Sequence, residues 1–148
     1  MKYKKEISAG GIVYKKEGGQ LLWLTTQHSL HKGWSFPKGL IGDIDQNESK
    51  ESAAIREVRE EGGIQTKIID SEPVAVFYKY RFGEYLIDKT VYYFLMEYIE
   101  GDIKDHDWEV SDVKFLPEDE IGKILSFTTD REAFEKILQK FARVDKRG

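Results

Sequence analysis

The sequence of 148 residues contains no cysteine and no long apolar run. Without cysteine there is no disulfide, thiolate nucleophile or zinc–thiolate site, so packing alone must hold the fold. No stretch approaches the roughly 18 apolar residues that a membrane span needs, and no apolar segment follows the basic N-terminus. We therefore expect neither export nor membrane insertion, and a reducing cytoplasm fits the composition.

An excess of basic residues is also missing, because the formal net charge is -4 at pH 7. Proteins that bind nucleic-acid backbone broadly usually carry many Lys and Arg residues on one surface. The composition therefore argues against stable binding of a nucleic-acid duplex. Hydrophobic residues make up 40% and charged residues 34%, which is typical of a globular protein, and the length predicts a single domain over residues 1–148.

The pattern of elements predicts an α/β fold in which a mixed β-sheet is flanked by helices. Helices are expected from Glu48 or Ser49 to Glu61, before two glycines, and over 128–141, behind a cap at Thr129 or Asp130. A long irregular loop is expected over 28–47, and loops of this length usually carry function. Strands are expected over 6–15, 21–24, 74–80, 86–99 and 112–116.

Three glutamates of the first predicted helix fall on one face. At about 100 degrees per residue, Glu57, Glu60 and Glu61 lie within an arc of about 100 degrees, beside an apolar stripe that includes Ala54 and Val58. Like charges at this spacing repel, and a hard divalent cation with oxygen ligands is a natural partner for them. An acidic helix face is more often simply solvated. The cluster alone therefore leaves both interpretations open.

The residues around this cluster form a longer pattern. Seven residues after Glu48 the chain reads Arg56-Glu57-Val58-Arg59-Glu60-Glu61-Gly62-Gly63-Ile64. The string resembles the Nudix box, which runs Gly, five residues, Glu, seven residues, Arg-Glu, a hydrophobic residue, any residue, Glu-Glu, any residue, Gly and a hydrophobic residue. Every position from Glu48 onward matches. The resemblance implies a Nudix-type α/β/α sandwich and metal-dependent hydrolysis of a pyrophosphate bond.

The front of the pattern departs from the family. The family glycine stands six residues before the first glutamate of the box, whereas Gly39 stands nine residues before Glu48. Gly42 has the family spacing, but the segment Pro37–Gly39 resembles the usual Pro-Lys-Gly lead-in. We therefore expect a three-residue insertion between Gly39 and Glu48.

The resemblance also implies a role for each residue of the box. Glu57 and Glu60 are expected to be catalytic, with Arg56 holding carboxylate rotamers through ion pairs and Glu48 in support. Magnesium is the expected cofactor, with manganese as the alternative cation. The expected metal ligands are the Gly39 carbonyl, Glu57, Glu60 and Glu61.

One further carboxylate commonly comes from a later loop in Nudix enzymes. We choose Glu109, six residues before Phe115, as the general base, although an ordinary acidic loop residue is an equally good interpretation. The three histidines are assigned no catalytic role, because a lone loop histidine is more often a surface residue.

Substrate contacts are expected from cations and aromatic residues near the box. Lys38 stands at the mouth of the expected site, and Lys79, Arg81 and Lys89 lie in strands where phosphates can be held electrostatically. Tyr80 is a candidate for stacking on a base, although aromatic residues in strands more often belong to the core.

The Pro-Lys-Gly lead-in and the tyrosine-rich middle strand are similar to Nudix enzymes that cleave dinucleoside polyphosphates. Diadenosine tetraphosphate is therefore our first choice among nucleotide substrates. The alternatives are nucleoside triphosphates, oxidised nucleotides, RNA 5′ ends and diphosphoinositol polyphosphates, because the box reports the reaction centre and not specificity. A non-catalytic nucleotide-binding module is a further alternative, and a homodimer is compatible with the sequence.

Overall fold

The structure, a computed structural model, describes residues 1–42 and 46–147. Its helices are α1 (Lys50–Gly62), α2 (Glu118–Ile124) and α3 (Thr128–Arg147), with a short 3₁₀ helix at Ile103–Asp105. Its strands are β1 (Lys2–Glu17), β2 (Gln20–His28), β3 (Trp34–Ser35), β4 (Lys38–Leu40), β5 (Ile64–Ile68), β6 (Val74–Phe82), β7 (Tyr85–Gly101) and β8 (Val110–Leu116).

The strands form one mixed sheet within the described residues, and β1 and β7 lie at its centre. These two strands are parallel, from the Lys2–Tyr85 pair to the Tyr14–Glu97 pair, and the other pairings are antiparallel. The first half of β7 pairs with β6, and its second half pairs with β5. At the other side of the sheet, β2 separates β1 from β3 and β8, while β4 lies beside β1.

Helices cover both faces of the sheet. Because side chains alternate along a strand, β1 directs Ala9 and Val13 to one face, where they pack in the cluster that includes Val58 of α1. It directs Ile12 to the other face, with Phe134 of α3. This arrangement confirms the α/β sandwich. None of the helices in the described ranges is long and apolar enough to cross a membrane.

The helix that carries the glutamates has defined ends. The Ser49 side chain accepts a hydrogen bond of 3.1 Å from the Ser52 amide, which satisfies one free amide at the helix start. At the other end Gly63 has φ 76° and donates its amide to the Arg59 carbonyl, a conformation that favours glycine. The helix is close to its predicted bounds and extends one residue further, through Gly62.

Several other elements differ from prediction. The strands over 6–15, 21–24, 74–80, 86–99 and 112–116 are present but longer, and β5 and α2 were not predicted. The segment 28–47 holds β3 and β4, and residues 43–45, where part of the expected insertion falls, lie outside the described residues. The cap at Thr129 or Asp130 is wrong, because α3 begins at Thr128 and the Asp130 carboxylate accepts hydrogen bonds from Ser35 and Tyr93 instead.

Candidate active site

A cleft of about 1230 Å³ opens beside the C-terminal half of α1 and the first turn of α3. Residues of β1, β2, β3, β4, β6, β7 and β8 also line it. Most of the residues that the sequence singled out as catalytic, metal-binding or substrate-binding meet here. Those on the cleft wall are Lys38, Gly39, Glu57, Glu60, Glu61, Tyr80, Lys89 and Glu109.

The structure does not bring Lys79 and Arg81 to the cleft. Their neighbours Tyr78, Tyr80 and Phe82 line it, and alternate residues of a strand point to opposite faces. The two cations therefore lie on the other face of β6, and the expectation that they hold substrate does not fit this geometry.

Arg56 lies behind the cleft wall and connects three glutamates. Its Nε and Nη2 donate to the two carboxylate oxygens of Glu48 at 2.7 and 2.9 Å, a bidentate pair that lowers the pKa of Glu48. Its Nη1 donates to Glu57 Oε1 at 2.8 Å and lies 3.3 Å from Glu60 Oε2. One buried guanidinium thus orients two carboxylates at the cleft and joins them to Glu48, two residues before the start of α1.

The cleft holds more negative charge than Arg56 compensates. Burial raises the pKa of Glu57 to about 7, against the opposing effect of Arg56, and Glu60 and Glu109 raise it further. Burial raises the pKa of Glu61 to about 8, against the opposing charge of Lys38. Carboxylates that resist ionisation in this way are stabilised by a nearby cation.

The backbone of β4 lies directly against these carboxylates. The Lys38 amide donates to Glu61 Oε1 at 3.3 Å, and a Cβ atom on Gly39 would overlap the Glu57 carboxylate. Only glycine permits this approach. The Ser8 hydroxyl, fully buried in the same cleft, has no hydrogen-bond partner within the described part of the chain.

These groups fit a hard divalent cation by their chemistry. They supply carboxylate oxygens and a backbone segment held close to them, which are the donors that magnesium prefers. Among the residues described, no three carboxylate or imidazole side chains are already close enough together to hold a metal ion. In this arrangement Glu57 is directed to Arg56, at 2.8 Å. This bond engages Oε1, one of the two carboxylate oxygens, so Arg56 can orient Glu57 while the carboxylate holds a metal.

Glu109 is held at the cleft by contacts of its backbone. Ser29 donates its amide and its hydroxyl to the Glu109 carbonyl at 3.0 and 2.9 Å. The Glu109 amide donates to Asp107 Oδ1 at 3.1 Å, and the Asp107 amide donates to the Glu60 carbonyl at 2.8 Å. The loop before β8 is thereby attached to the end of α1. Glu109 lines the same cleft as Glu57 and Glu61, and its charge raises the pKa of both.

Other residues that line the cleft are cations and aromatic rings. Lys89 Nζ lies 3.2 Å from Glu6 Oε1, which also accepts a 2.7 Å hydrogen bond from the Tyr80 hydroxyl. Burial lowers the pKa of Lys89, and the charge of Lys38 acts in the same direction. The two lysines therefore face a common space, with the rings of Tyr78 and Tyr80 beside them at a centroid distance of 6.2 Å.

Some residues of the cleft were not singled out from the sequence for a role there. The rings of His28 and His31 stack at 4.2 Å on its wall. Ser35 and Asp130 also line it, joined by a 2.7 Å hydrogen bond. The only sequence signal for Asp130 was its position near the start of a helix, and Ser35 carried none beyond its place before Pro37.

Comparisons with known proteins agree on one family. A family model described as NUDIX domain matches residues 4–141. A crystal structure of an Ap4A hydrolase binary complex from C. elegans superposes with a TM-score of 0.77 at 24% identity, covering 93% of this chain and 98% of that one. The NUDIX domain of Shewanella oneidensis NrtR, complexed with ADP ribose, superposes with a TM-score of 0.63 at 22% identity, covering 95% and 88% of the two chains.

Two sequence relatives are much longer than this chain. A mutator protein of Mycobacterium tuberculosis, MutT4 by name, is 33% identical over 102 residues, which is 69% of this chain and 40% of that protein. An RNA pyrophosphohydrolase of Haemophilus influenzae is 44% identical over 57 residues, 38% of this chain and 26% of that protein. The matched regions thus span less than half the length of either relative.

Proposed function

This chain belongs to the Nudix family, and we propose that it is a metal-dependent pyrophosphohydrolase whose substrate is a dinucleoside polyphosphate such as diadenosine tetraphosphate. The observation that carries the reaction class is the meeting of Glu57, Glu60, Glu61 and Glu109 in one cleft with the backbone of Gly39. Membership of the family implies a divalent metal, and we propose magnesium.

The proposed substrate is supported by the shape and charge of the cleft. Lys38 and Lys89, here called the cationic wall, line the same cleft as Glu57, Glu60, Glu61 and Glu109, here called the acidic wall. A chain of phosphates can contact both groups, because lysines bind phosphate as point charges. Tyr78 and Tyr80 lie beside the lysines, where a ring can stack on a base. The C. elegans structure that covers 93% of this chain is that of an Ap4A hydrolase.

The acidic residues of the cleft and Arg56 would have different roles in the reaction. A bound divalent cation would neutralise phosphate oxygens and lower the pKa of a bound water. Glu57, Glu60 and Glu61 would hold it, while Arg56 keeps the first two oriented. We propose that Glu109, which lines the same cleft as the buried carboxylates, accepts the proton of the attacking water.

The cationic wall would hold the rest of the substrate. Lys38 and Lys89 would bind the phosphates that flank the cleaved bond, so that the bond lies near the acidic wall. Tyr80, whose hydroxyl is fixed by Glu6 at 2.7 Å, would present its ring to a base. These contacts would position the substrate, because phosphoryl transfer depends mainly on positioning and charge neutralisation.

A second candidate is removal of pyrophosphate from RNA 5′ ends. It is favoured by the Haemophilus influenzae relative, which is an RNA pyrophosphohydrolase by name and 44% identical over 57 residues. A 5′ triphosphate offers the same chain of anionic groups to Lys38 and Lys89. The two candidates differ in what lies beyond the phosphates, a second nucleoside or an RNA strand.

The test is incubation of the purified protein and magnesium with diadenosine tetraphosphate, nucleoside triphosphates, ADP-ribose and triphosphorylated RNA, followed by product analysis. Rapid magnesium-dependent release of ATP and AMP from diadenosine tetraphosphate is the expected result. Selective cleavage of ADP-ribose or of the RNA would reject the proposed substrate but keep the reaction class. Tight nucleotide binding without turnover of any substrate would reject the enzyme and indicate a binding module.

A further inference from the structure

A chain of hydrogen bonds leads from the cleft into the core. Lys38 Nζ donates to Ser35 Oγ at 2.9 Å, and Ser35 Oγ donates to Asp130 Oδ2 at 2.7 Å. The Tyr93 hydroxyl donates to the other oxygen of Asp130 at 2.8 Å. Two helical layers are thereby joined, because Asp130 belongs to α3 and Lys38 lies on the strand that touches α1.

The direction of these bonds follows from the hydrogens available. An ammonium group can only donate, so Ser35 must accept from Lys38 and direct its single hydrogen to Asp130. Burial and the charge of Asp130 raise the pKa of Tyr93 well above its usual value, so this hydroxyl also keeps its hydrogen. Both oxygens of Asp130 therefore act as acceptors, as in an ionised carboxylate.

Asp130 is an unusual place for a negative charge. Its side chain is buried, with only 4% of the residue exposed. Within the described residues no cation lies within ion-pair distance of its carboxylate. The nearest charge of opposite sign along the bonded chain is the ammonium of Lys38, one hydroxyl away, and the first turn of α3 adds a favourable helix dipole.

Lys38 also lies close to a second acidic residue, Glu61. Its amide bonds to Glu61 Oε1 at 3.3 Å, and its charge opposes the rise of the pKa of Glu61 that burial causes. Without a second anion the flexible ammonium would be drawn to the carboxylates of α1. There it would oppose a divalent cation and would be withdrawn from the space that it shares with Lys89.

We propose that Asp130 is a positioning residue: acting through Ser35, its buried carboxylate holds the Lys38 ammonium away from Glu61 and keeps it available to an anionic phosphate. The proposal rests on the proposed function only in that Lys38 contacts the substrate. We assign Asp130 no contact with the metal or the reacting phosphate, because its two carboxylate oxygens accept from Ser35 and Tyr93.

The test compares Asp130→Asn with Lys38→Met and with the double variant, using whichever nucleotide the wild-type protein hydrolyses. Asp130→Asn should raise KM about tenfold, the usual size of a lost charged hydrogen bond. In the Lys38→Met background the same change should have no further effect on kcat/KM, because the two residues act on one interaction. Effects that multiply in the double variant would overturn the proposal.

Asp70→Asn is the matched control for damage to α3. Asp70 pairs with Lys140 of the same helix at 3.3 Å, away from the cleft residues, so its loss removes one anion without touching Lys38. It should lower stability slightly and leave KM unchanged. If Asp70→Asn and Asp130→Asn change KM equally, Asp130 is only structural and the proposal fails.

A second readout does not depend on turnover. Calorimetric titration with Mn²⁺ should show weaker binding to Asp130→Asn, because the released ammonium pairs with Glu61, and binding should recover when Lys38→Met is added. If the wild-type protein hydrolyses no nucleotide, the proposed function fails while this titration still decides the role of Asp130. Unchanged Mn²⁺ affinity in Asp130→Asn would overturn the proposal.

Ser35→Ala keeps the test decisive if Asp130→Asn does not fold. It cuts the link to Lys38 but leaves the Tyr93 bond to Asp130 in place. The variant should reproduce the rise in KM and the weaker Mn²⁺ binding. A folded Ser35→Ala protein with wild-type values for both would contradict the proposal.

Discussion

The glutamates of α1 differ in what surrounds each of them, although they share one face of the helix. Glu57 is held by Arg56, Glu61 is buried beside Lys38, and the Glu60 side chain is 32% exposed. Partial exposure lets Glu60 change without leaving a buried cavity. It is therefore the proposed metal ligand whose loss separates most cleanly from loss of the fold.

We expect Glu60→Gln to lower kcat on the order of a hundredfold, because a neutral amide is a poorer ligand for a hard cation. Steady-state kinetics at saturating magnesium measures this, and thermal denaturation checks the fold. Glu51→Gln, on the exposed part of the same helix, is the control and should keep wild-type kcat. Full turnover by Glu60→Gln would remove it from the metal site.

The pair between Glu48 and Arg56 should shape the acid stability of the protein. Hydrogen bonds from Arg56 lower the pKa of Glu48, so the folded carboxylate is more acidic than the unfolded one. The stability that the pair contributes is present above the unfolded pKa and is lost as the pH falls through the folded one. As the pH falls below 4.5, the usual pKa of this carboxyl, the free energy of unfolding should therefore fall more steeply in the wild type than in Glu48→Gln.

Urea denaturation at several pH values measures this difference in slope. Glu51→Gln serves again as the control and should follow the wild-type curve. Parallel curves for the wild type and Glu48→Gln would show that the buried pair does not titrate as the geometry indicates.

At the scale of single residues, the sequence predicted what lies close together along the chain. The carboxylates of α1 were found because a helix repeats every 3.6 residues and the box is local. The bond between Ser35 and Asp130 joins residues 95 positions apart, and no periodicity reports such a contact. The placement of Lys79 and Arg81 was missed because a strand pattern does not show which of its faces borders a cleft.

The approach of β4 to α1 is the contact between elements that most constrains the site. It brings backbone atoms against two carboxylates and depends on the missing side chain of Gly39. Any Cβ atom there must displace either the strand or Glu57. A displacement of about 1 Å at a catalytic group typically costs about a hundredfold in rate.

We therefore expect Gly39→Ala to lower kcat/KM about a hundredfold while the protein stays folded. Gly122→Ala is the matched control, because a Cβ atom at Gly122 of α2 meets nothing, and alanine favours a helix. Kinetics and circular dichroism of both variants decide the matter. Equal activity of the two would mean that β4 is free to move away without consequence.

Helices and strands whose ends are marked by nearby residues in the sequence were predicted well. Those that are stabilised mainly by pairing with a distant strand were not. The first helix was found to within two residues because Ser49 and Gly63 mark its ends. The short strand β5 carries exposed polar residues at alternate positions, and it is held mainly by pairing with the end of β7. The prediction ended the third helix at Phe141, because the following residues lack large apolar side chains at regular spacing. In the structure the helix continues to Arg147.

For the molecule as a whole, a bound cation should act as a stabilising ligand, because the acidic wall combines residues from α1 with Glu109 of a distant loop. Magnesium at about 100 times its dissociation constant would add about 2.7 kcal/mol to the free energy of unfolding. This corresponds to a rise in Tm of about 5–10 °C for a protein of this size.

Differential scanning calorimetry with and without magnesium measures this rise. It should be smaller in Glu60→Gln at the same magnesium concentration, and Glu51→Gln should behave as the wild type. An equal shift in the wild type and in Glu60→Gln would place the stabilising ion outside the cleft.

The long strand β7 sets a limit on where the chain can change in length. It pairs with β1 along one edge, while β6 and then β5 occupy the other, and its alternate residues serve both cores. One added residue in the middle of β7 would turn every later side chain of the strand to the opposite face of the sheet. Residues that pack in one core would then point into the other. The turn at Gly83, between β6 and β7, is not packed in either core, and a Cβ atom there meets nothing. A change in chain length is therefore better tolerated at that hairpin tip than in the middle of β7.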